Sequence, residues 1–193
     1  MFFSNRPVQL QNDLVTLEAL TLAHVPDLQS AIADGALWQL AFAHLPTPDK
    51  MQTYVQAALA DPNACAFAVR DPATGRIVGS TRFYQIESQH RRALIGYTWY
   101  AQSVQGTRIN PACKLLLMTH LFEDQHAIAV ELRTHVANQR SRAAMEKMGA
   151  KLDGVLRSHQ IMPNGSLRDS AVYSIVASEW PQVREGLRAR LLA

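Results

Sequence analysis

Residues Trp99 to Lys114 read WYAQSVQGTRINPACK, an aromatic strand end that runs through a glycine turn into an apolar helix. The turn holds one arginine and no acidic residue. With a helix starting near Ile109, the unpaired N–H groups and the positive end of the dipole point back into Gln105, Gly106, Thr107, Arg108 and Asn110. Gly106 lets the backbone approach a ligand closely, and Arg108 adds a permanent charge with planar donors. Together they make a cradle for a pyrophosphate. The bland alternative is a strand-to-helix turn whose glycine only relieves backbone strain, and the local residues alone do not choose between the two. Neither GxxxxGK nor GxGxxG occurs, so a P-loop or a Rossmann dinucleotide site is not expected.

The chain around this turn has 193 residues, 48% of them hydrophobic and 18% charged, enough for one globular domain over residues 1–193 with a sizeable core. The start, MFFSNRPVQLQND, has no signal-peptide core, and no apolar run approaches the ~20 residues of a membrane span, so a cytoplasmic protein with no membrane partner is expected. Cys65 and Cys113 sit in apolar surroundings and read as small core residues. The seven histidines show no HExxH, and His120 with His126 has no carboxylate in ligand spacing, so no metal is expected. A net charge of +3 is a mild bias toward anionic ligands and too weak alone for nucleic acid.

Alternation and turn signals order the elements. Leu14 to Leu20 is a strand, Thr21 caps a helix to about Ala33, and Thr47 with Pro48 and Asp49 opens a helix to Ala60. Cys65 to Arg70, Arg76 to Ile86 and Arg91 to Tyr100 form an antiparallel meander. Then follow a helix over Ile109 to Glu123, a strand over Ile128 to Thr134, a helix over Gln139 to Met148 and a strand over Lys151 to Ile161. PNG at Pro163 to Gly165 turns into a strand over Arg168 to Ala177, and a helix over Glu179 to Leu191 closes the chain. This is an α/β (α+β) class with one mixed, mostly antiparallel sheet and helices on both faces.

The stretches IGYTWY, QGTRINPACKLLLMTHLFE, VELRTHVANQRSRAAMEKMGAKLDGVLR and NGSLRDSAVYSIVASEW resemble the GNAT superfamily of N-acetyltransferases, in the branch similar to the RimJ/RimL ribosomal-protein N-terminal acetyltransferases. The resemblance covers almost the whole chain. It implies that acetyl-CoA lies where two strands splay apart, Ile95 to Tyr100 and Ile128 to Thr134, with its pyrophosphate on the amides of Gln105, Gly106, Thr107, Arg108, Ile109 and Asn110. The family's second loop glycine is replaced here by Arg108, and its usual residue three before the first glycine is Ser103.

An amine near the lysine pKa of ~10.4 is protonated at neutral pH, so attack on a thioester is helped by a base, directly or through water. The resemblance points to Glu131, in VELR, as that base, with Glu87 and His90 as weaker substitutes; Leu94 stands where many relatives carry a glutamate. Met145 falls where many members place a proton-donating tyrosine, which leaves Ser141 for the thiolate and Asn138 for the pantetheine or a water. Asn138 also reads as an ordinary helix N-cap and Glu131 as a plain polar strand residue. A backbone N–H near Trp99 or Tyr100 is expected to polarise the carbonyl. Trp38, Phe42 and His44 lie in a region resembling the acceptor side, although the two aromatic residues suit the core.

The expected partners are therefore acetyl-CoA and an amine acceptor, either a protein N-terminus or a small molecule. Two alternatives stay open. One is another acyl-CoA such as succinyl-CoA, for which Arg82 or Arg133 supplies the extra cation. The other is a non-catalytic module for CoA or nucleic acid that uses Arg140, Arg142, Lys147, Lys151 and Arg157, a run without interleaved aromatics. The oligomeric state is open too, with terminal strands available to pair in a homodimer.

Overall fold

Among the described residues eight strands make one sheet, and their order explains how the turn after Tyr100 comes to face a gap. The computed structural model describes residues 8–40, 42, 45–162 and 164–192; the first seven residues, His44 and Pro163 lie outside them. In chain order the strands are β1 (Leu10–Gln11), β2 (Thr16–Ala19), β3 (Cys65–Asp71), β4 (Arg76–Glu87), β5 (Arg92–Tyr100), β6 (Ala129–His135), β7 (Lys151–Ile161) and β8 (Leu167–Val176). The helices are α1 (Val25–Ala33), α2 (Met51–Ala60), α3 (Ile109–Thr119), α4 (Gln139–Met148) and α5 (Trp180–Leu192). The sheet runs β1-β2-β3-β4-β5-β6-β8-β7, antiparallel throughout except between β5 and β6.

Two apolar clusters pack against opposite faces of the sheet. Leu28, Ile32, Met51 and Val55 of α1 and α2 cover one face with Ala66, Ala68, Ile77 and Trp99. Cys113, Leu117 and Met118 of α3 and Trp180, Val183 and Leu187 of α5 cover the other with Phe67, Phe83, Ile95, Leu132 and Tyr173. Cys113 and Cys65 are free thiols whose pKa burial pushes up to about 11, which suits the packing role read from the sequence.

Three departures from the sequence expectation have local causes. β1 is only two residues long and carries no periodic signal. The helix expected over Ile109 to Glu123 changes pitch at His120, where His120–Asp124 forms a π turn closed by Gln125 N–H onto His120 O at 3.0 Å. That turn brings His120 Nδ1 to 2.9 Å from Asp124 Oδ2, so the expectation of a histidine without a carboxylate is corrected.

The joint between β5 and β6 matters most. Only Arg92–Ala129, Ala93–Val130 and Leu94–Glu131 pair across it. Beyond Leu94, β5 stays paired with β4 as far as Tyr100 and β6 stays paired with β8 as far as His135, so the two inner strands part. A bulge sharpens the divergence: Ser80 pairs with Trp99 and Arg82 with Gly96, leaving Tyr97 and Thr98 opposite Thr81 alone, with Tyr97 at φ +50°.

Gly79 holds this register from the other side, because a Cβ there would meet the carbonyl oxygen of Trp99 at 2.2 Å. Gly79→Ala is expected to cost about 1–3 kcal/mol, at the upper end because the clash is with backbone, and to disturb the mouth of the gap. The midpoint of urea unfolding measures it. An unchanged midpoint would show that β5 can shift freely.

Candidate active site

The gap ends at the loop singled out in the sequence. After Tyr100 the chain makes one 3-10 turn, Gln102–Val104, and reaches Gly106 at φ +79°, where a Cβ would meet only open space. Gln105 Nε2 donates to Tyr100 O at 2.9 Å and Thr107 Oγ1 to Val104 O at 2.7 Å, so the loop is braced by its own side chains. Ile109 N–H uses Thr107 Oγ1 at 3.3 Å; among the described residues no acceptor meets the N–H groups of Gly106, Thr107, Arg108 or Asn110. These free donors stand at the N-terminus of an eleven-residue helix, which is what an anion site requires. Arg108 is placed differently from the sequence reading. Its Nη1 donates to Leu191 O at 3.1 Å, so the side chain ties the loop to the end of α5.

Within the gap the backbone decides between Trp99 and Tyr100. Ala101 donates its N–H to Val78 O at 2.8 Å, and by alternation along the strand Tyr100 turns its N–H away from β4 and into the opening. Of the two, Tyr100 is thus the one whose N–H faces the opening.

Glu131 is 7% exposed, so the plain outward-facing reading is excluded. It is the last β6 residue paired with β5, at the vertex of the gap. Arg92 Nη2 reaches its Oε2 at 3.1 Å, and Arg133 Nε donates to its Oε1. A carboxylate has about four lone-pair positions, so two guanidinium donors leave room for a water or an ammonium. Glu87 and His90 are both exposed on the β4–β5 connection at the closed end, and contribute nothing to the opening.

On the far side, Asn138 caps α4: its Oδ1 accepts from Ser141 N at 3.1 Å. The capping and binding readings coexist, since the side-chain amide nitrogen keeps its donors. Ser141 is half-buried in the first turn, and Met145 packs partly against the core. The basic run does not form one open face, because Arg142 is bound to Tyr173 Oη at 3.0 Å and Lys151 to Glu179 at 2.6 Å.

Glu131, Arg82 and Arg133 stand out in the sequence singly, but the polar floor they share on the α1/α2 side of the sheet is not legible there. Cross-strand partners share a face, and the registers Arg82–Gly96, Tyr84–Leu94, Leu94–Glu131, Arg133–Val172 and His135–Ser170 bring Arg82, Tyr84, Glu131, Arg133, His135, Ser170 and Arg168 onto one side. Gly96 is required there, since a Cβ would meet Tyr84 Cε1 at 2.6 Å. Phe42, expected in the core, is 38% exposed and lies 4.8 Å from the His135 ring. Trp38 packs against the α1/α2 cluster as expected. Alternation on each strand was visible in the sequence, but the register that merges four strands into one floor was not.

A family profile described as an acetyltransferase (GNAT) domain matches residues 15–151, more than half of the chain. The chain belongs to the GNAT acetyltransferase family. This GNAT domain is 31% identical over 106 residues to YdaF of Bacillus subtilis (strain 168), a proposed ribosomal N-acetyltransferase; the match covers 55% of this chain and 57% of that protein's length. A crystal structure of a proposed acetyltransferase from T. thermophilus superposes with a TM-score of 0.85 at 30% identity, covering 96% of this chain and 98% of the other. Mycobacterium smegmatis RimJ, solved in complex with CoA-disulfide, shares the fold with a TM-score of 0.79 at 19% identity, covering 96% and 95%. The GNAT sheet expected from the sequence is therefore present, with the splay confined to Ile95–Tyr100 against Leu132–His135. Among the described residues no cluster of three or more metal-ligating side chains occurs, and no helix is long and apolar enough to cross a membrane.

Proposed function

We propose that the protein transfers the acetyl group of acetyl-CoA to a primary amine, a protein N-terminus or a small molecule, by direct attack without an acyl-enzyme. The observation that carries this reading is the parting of β5 and β6 beyond Leu94, opening beside four backbone donors at the head of α3. Acetyl-CoA supplies an activated thioester; the chain's own residues bind, orient and move protons. Gln105 to Asn110 hold the pyrophosphate through backbone N–H groups. Asn138 anchors the pantetheine arm or a water, and Tyr100 N–H takes the carbonyl oxygen with Trp99 packed behind it. Glu131 draws the acceptor ammonium and removes its proton through water. As the C–N bond forms and the C–S bond breaks, the Ser141 hydroxyl relays to the departing thiolate the proton that the attacking nitrogen sheds. The CoA ligand of the fold neighbour RimJ and the ribosomal name attached to YdaF support the donor and one acceptor class.

Calorimetric titration with acetyl-CoA and CoA tests the cradle. Gly106 sits at φ +79°, so Gly106→Val distorts the turn by backbone strain and is expected to weaken binding at least tenfold, about 1.4 kcal/mol. Asn138→Ala is expected to weaken it less. Absence of binding to the intact protein would overturn the reading.

A further inference from the structure

Four arginines share the polar floor, and Glu131 is the only carboxylate within ion-pair distance of any of them among the described residues. It is occupied by Arg92 and Arg133, which leaves Arg82 and Arg168 without a carboxylate partner. Arg82 is 6% exposed, and its guanidinium lies over two aromatic rings, 3.9 Å from the Tyr97 centroid and 5.1 Å from that of Tyr54. The two rings hold the fork in place and help to desolvate it. Arg82 Nε, Arg168 Nε and the Tyr54 hydroxyl are all buried with no hydrogen-bond partner. Buried donors left in this state cost free energy that a bound acceptor recovers.

These groups belong together. Tyr84 meets Tyr97 edge-on at 5.0 Å, and Arg168, on the same face of the sheet by its alternation with Ser170, is near enough for its charge to act on the Tyr84 phenol. Burial pushes the Tyr84 hydroxyl up to about 12 and Arg168 below its ordinary value, while Tyr97 itself stays half-exposed at the edge of the group. Tyr97 is the bulge residue, so the group stands beside the point where β5 leaves β6.

We propose that Arg82, Arg168 and the Tyr54 hydroxyl form a carboxylate-binding subsite beside the transfer point, so that one of the two substrates carries a carboxylate. The proposal rests on the transferase reading. Its chemistry has two sources: an acidic side chain on the acceptor amine, or an acyl group ending in a carboxylate, as in succinyl-CoA. A bidentate fork with a supporting hydroxyl discriminates a carboxylate from its amide isostere, because the amide places donors against donors.

Two pairs of dissociation constants test it by calorimetry, without turnover. The first compares the peptides Ser-Asp-Glu-Ala and Ser-Asn-Gln-Ala on the CoA-saturated protein, and the second compares succinyl-CoA with acetyl-CoA. One pair is expected to differ at least tenfold in favour of the carboxylate. That preference is expected to disappear in Arg168→Gln and in Arg82→Gln, while CoA affinity stays within twofold. Arg168 is the more exposed of the two, so its variant keeps the test informative if Arg82→Gln does not fold. The pair that separates identifies the source. Equal affinities within both pairs, in protein that binds CoA, would overturn the subsite and leave the transferase reading standing. Failure to bind any CoA, with the acidic peptide still preferred on the free protein, would overturn the transferase reading and leave the subsite. Binding of nothing would overturn both.

Discussion

Glu131→Gln is expected to lower kcat/KM at pH 7 by about 100-fold or more, the low end of what a positioned base contributes. The carboxylate at the vertex of the gap keeps lone pairs beyond those given to Arg92 and Arg133. Glutamine keeps an oxygen for one arginine, so the fold is expected to persist, but it neither attracts an ammonium nor accepts its proton. The deficit should therefore shrink as pH rises toward the amine's own pKa, where the acceptor sheds its proton unaided. Rates at pH 7 and pH 9.5 measure this. A deficit of equal size at both values would mean that Glu131 only holds the two arginines in place.

Lys114→Met is expected to raise stability by roughly 1–3 kcal/mol at pH 7. Lys114 is 9% exposed, and its ammonium donates one long hydrogen bond, to Thr98 Oγ1 at 3.4 Å, itself engaged with Thr81 Oγ1 at 2.8 Å. Burial pushes its pKa down from 10.5 to about 8. The folded state thus releases this proton near pH 8, whereas the unfolded chain holds it to about 10.5. Below pH 8 both states are protonated and the full penalty applies. Between the two values the unfolded chain binds the extra proton, and stability climbs with pH. Methionine has similar length and no charge, so the variant should gain stability at pH 7 and lose that climb. Urea midpoints for both proteins at pH 7 and pH 10 provide the check, and parallel pH dependences would refute it.

The elements were legible because each carries its signal locally. The cap at Asn138 and the glycine after Met148 set both ends of α4, and the turn signals between β3, β4 and β5 set their ends, although β3 and β4 are buried almost continuously because helices cover both faces of the sheet. The loop from Gln105 to Asn110 was legible as a glycine ahead of an apolar helix. What stayed hidden depends on counting across strands. The bulge at Tyr97 exists only relative to β4, and the destination of Arg108 depends on where α5 ends. Tyr54, Arg82 and Tyr97 are far apart in sequence and meet only because strand register and the docking of α2 bring them together, and Arg168 reaches the same face through the register of β6 with β8.

Three residue pairs join the β1–β5 half of the sheet to the β6–β8 half. A plate so joined behaves as two leaves on a short hinge, with its weakest line at the centre and not at the rim. In the free protein the inward-facing amides of β5 from Thr98 to Tyr100 should exchange with deuterium as quickly as those of a rim strand, while β4 one step away stays protected. A ligand carrying amide groups of its own would supply the missing rung, close the leaves and slow that exchange.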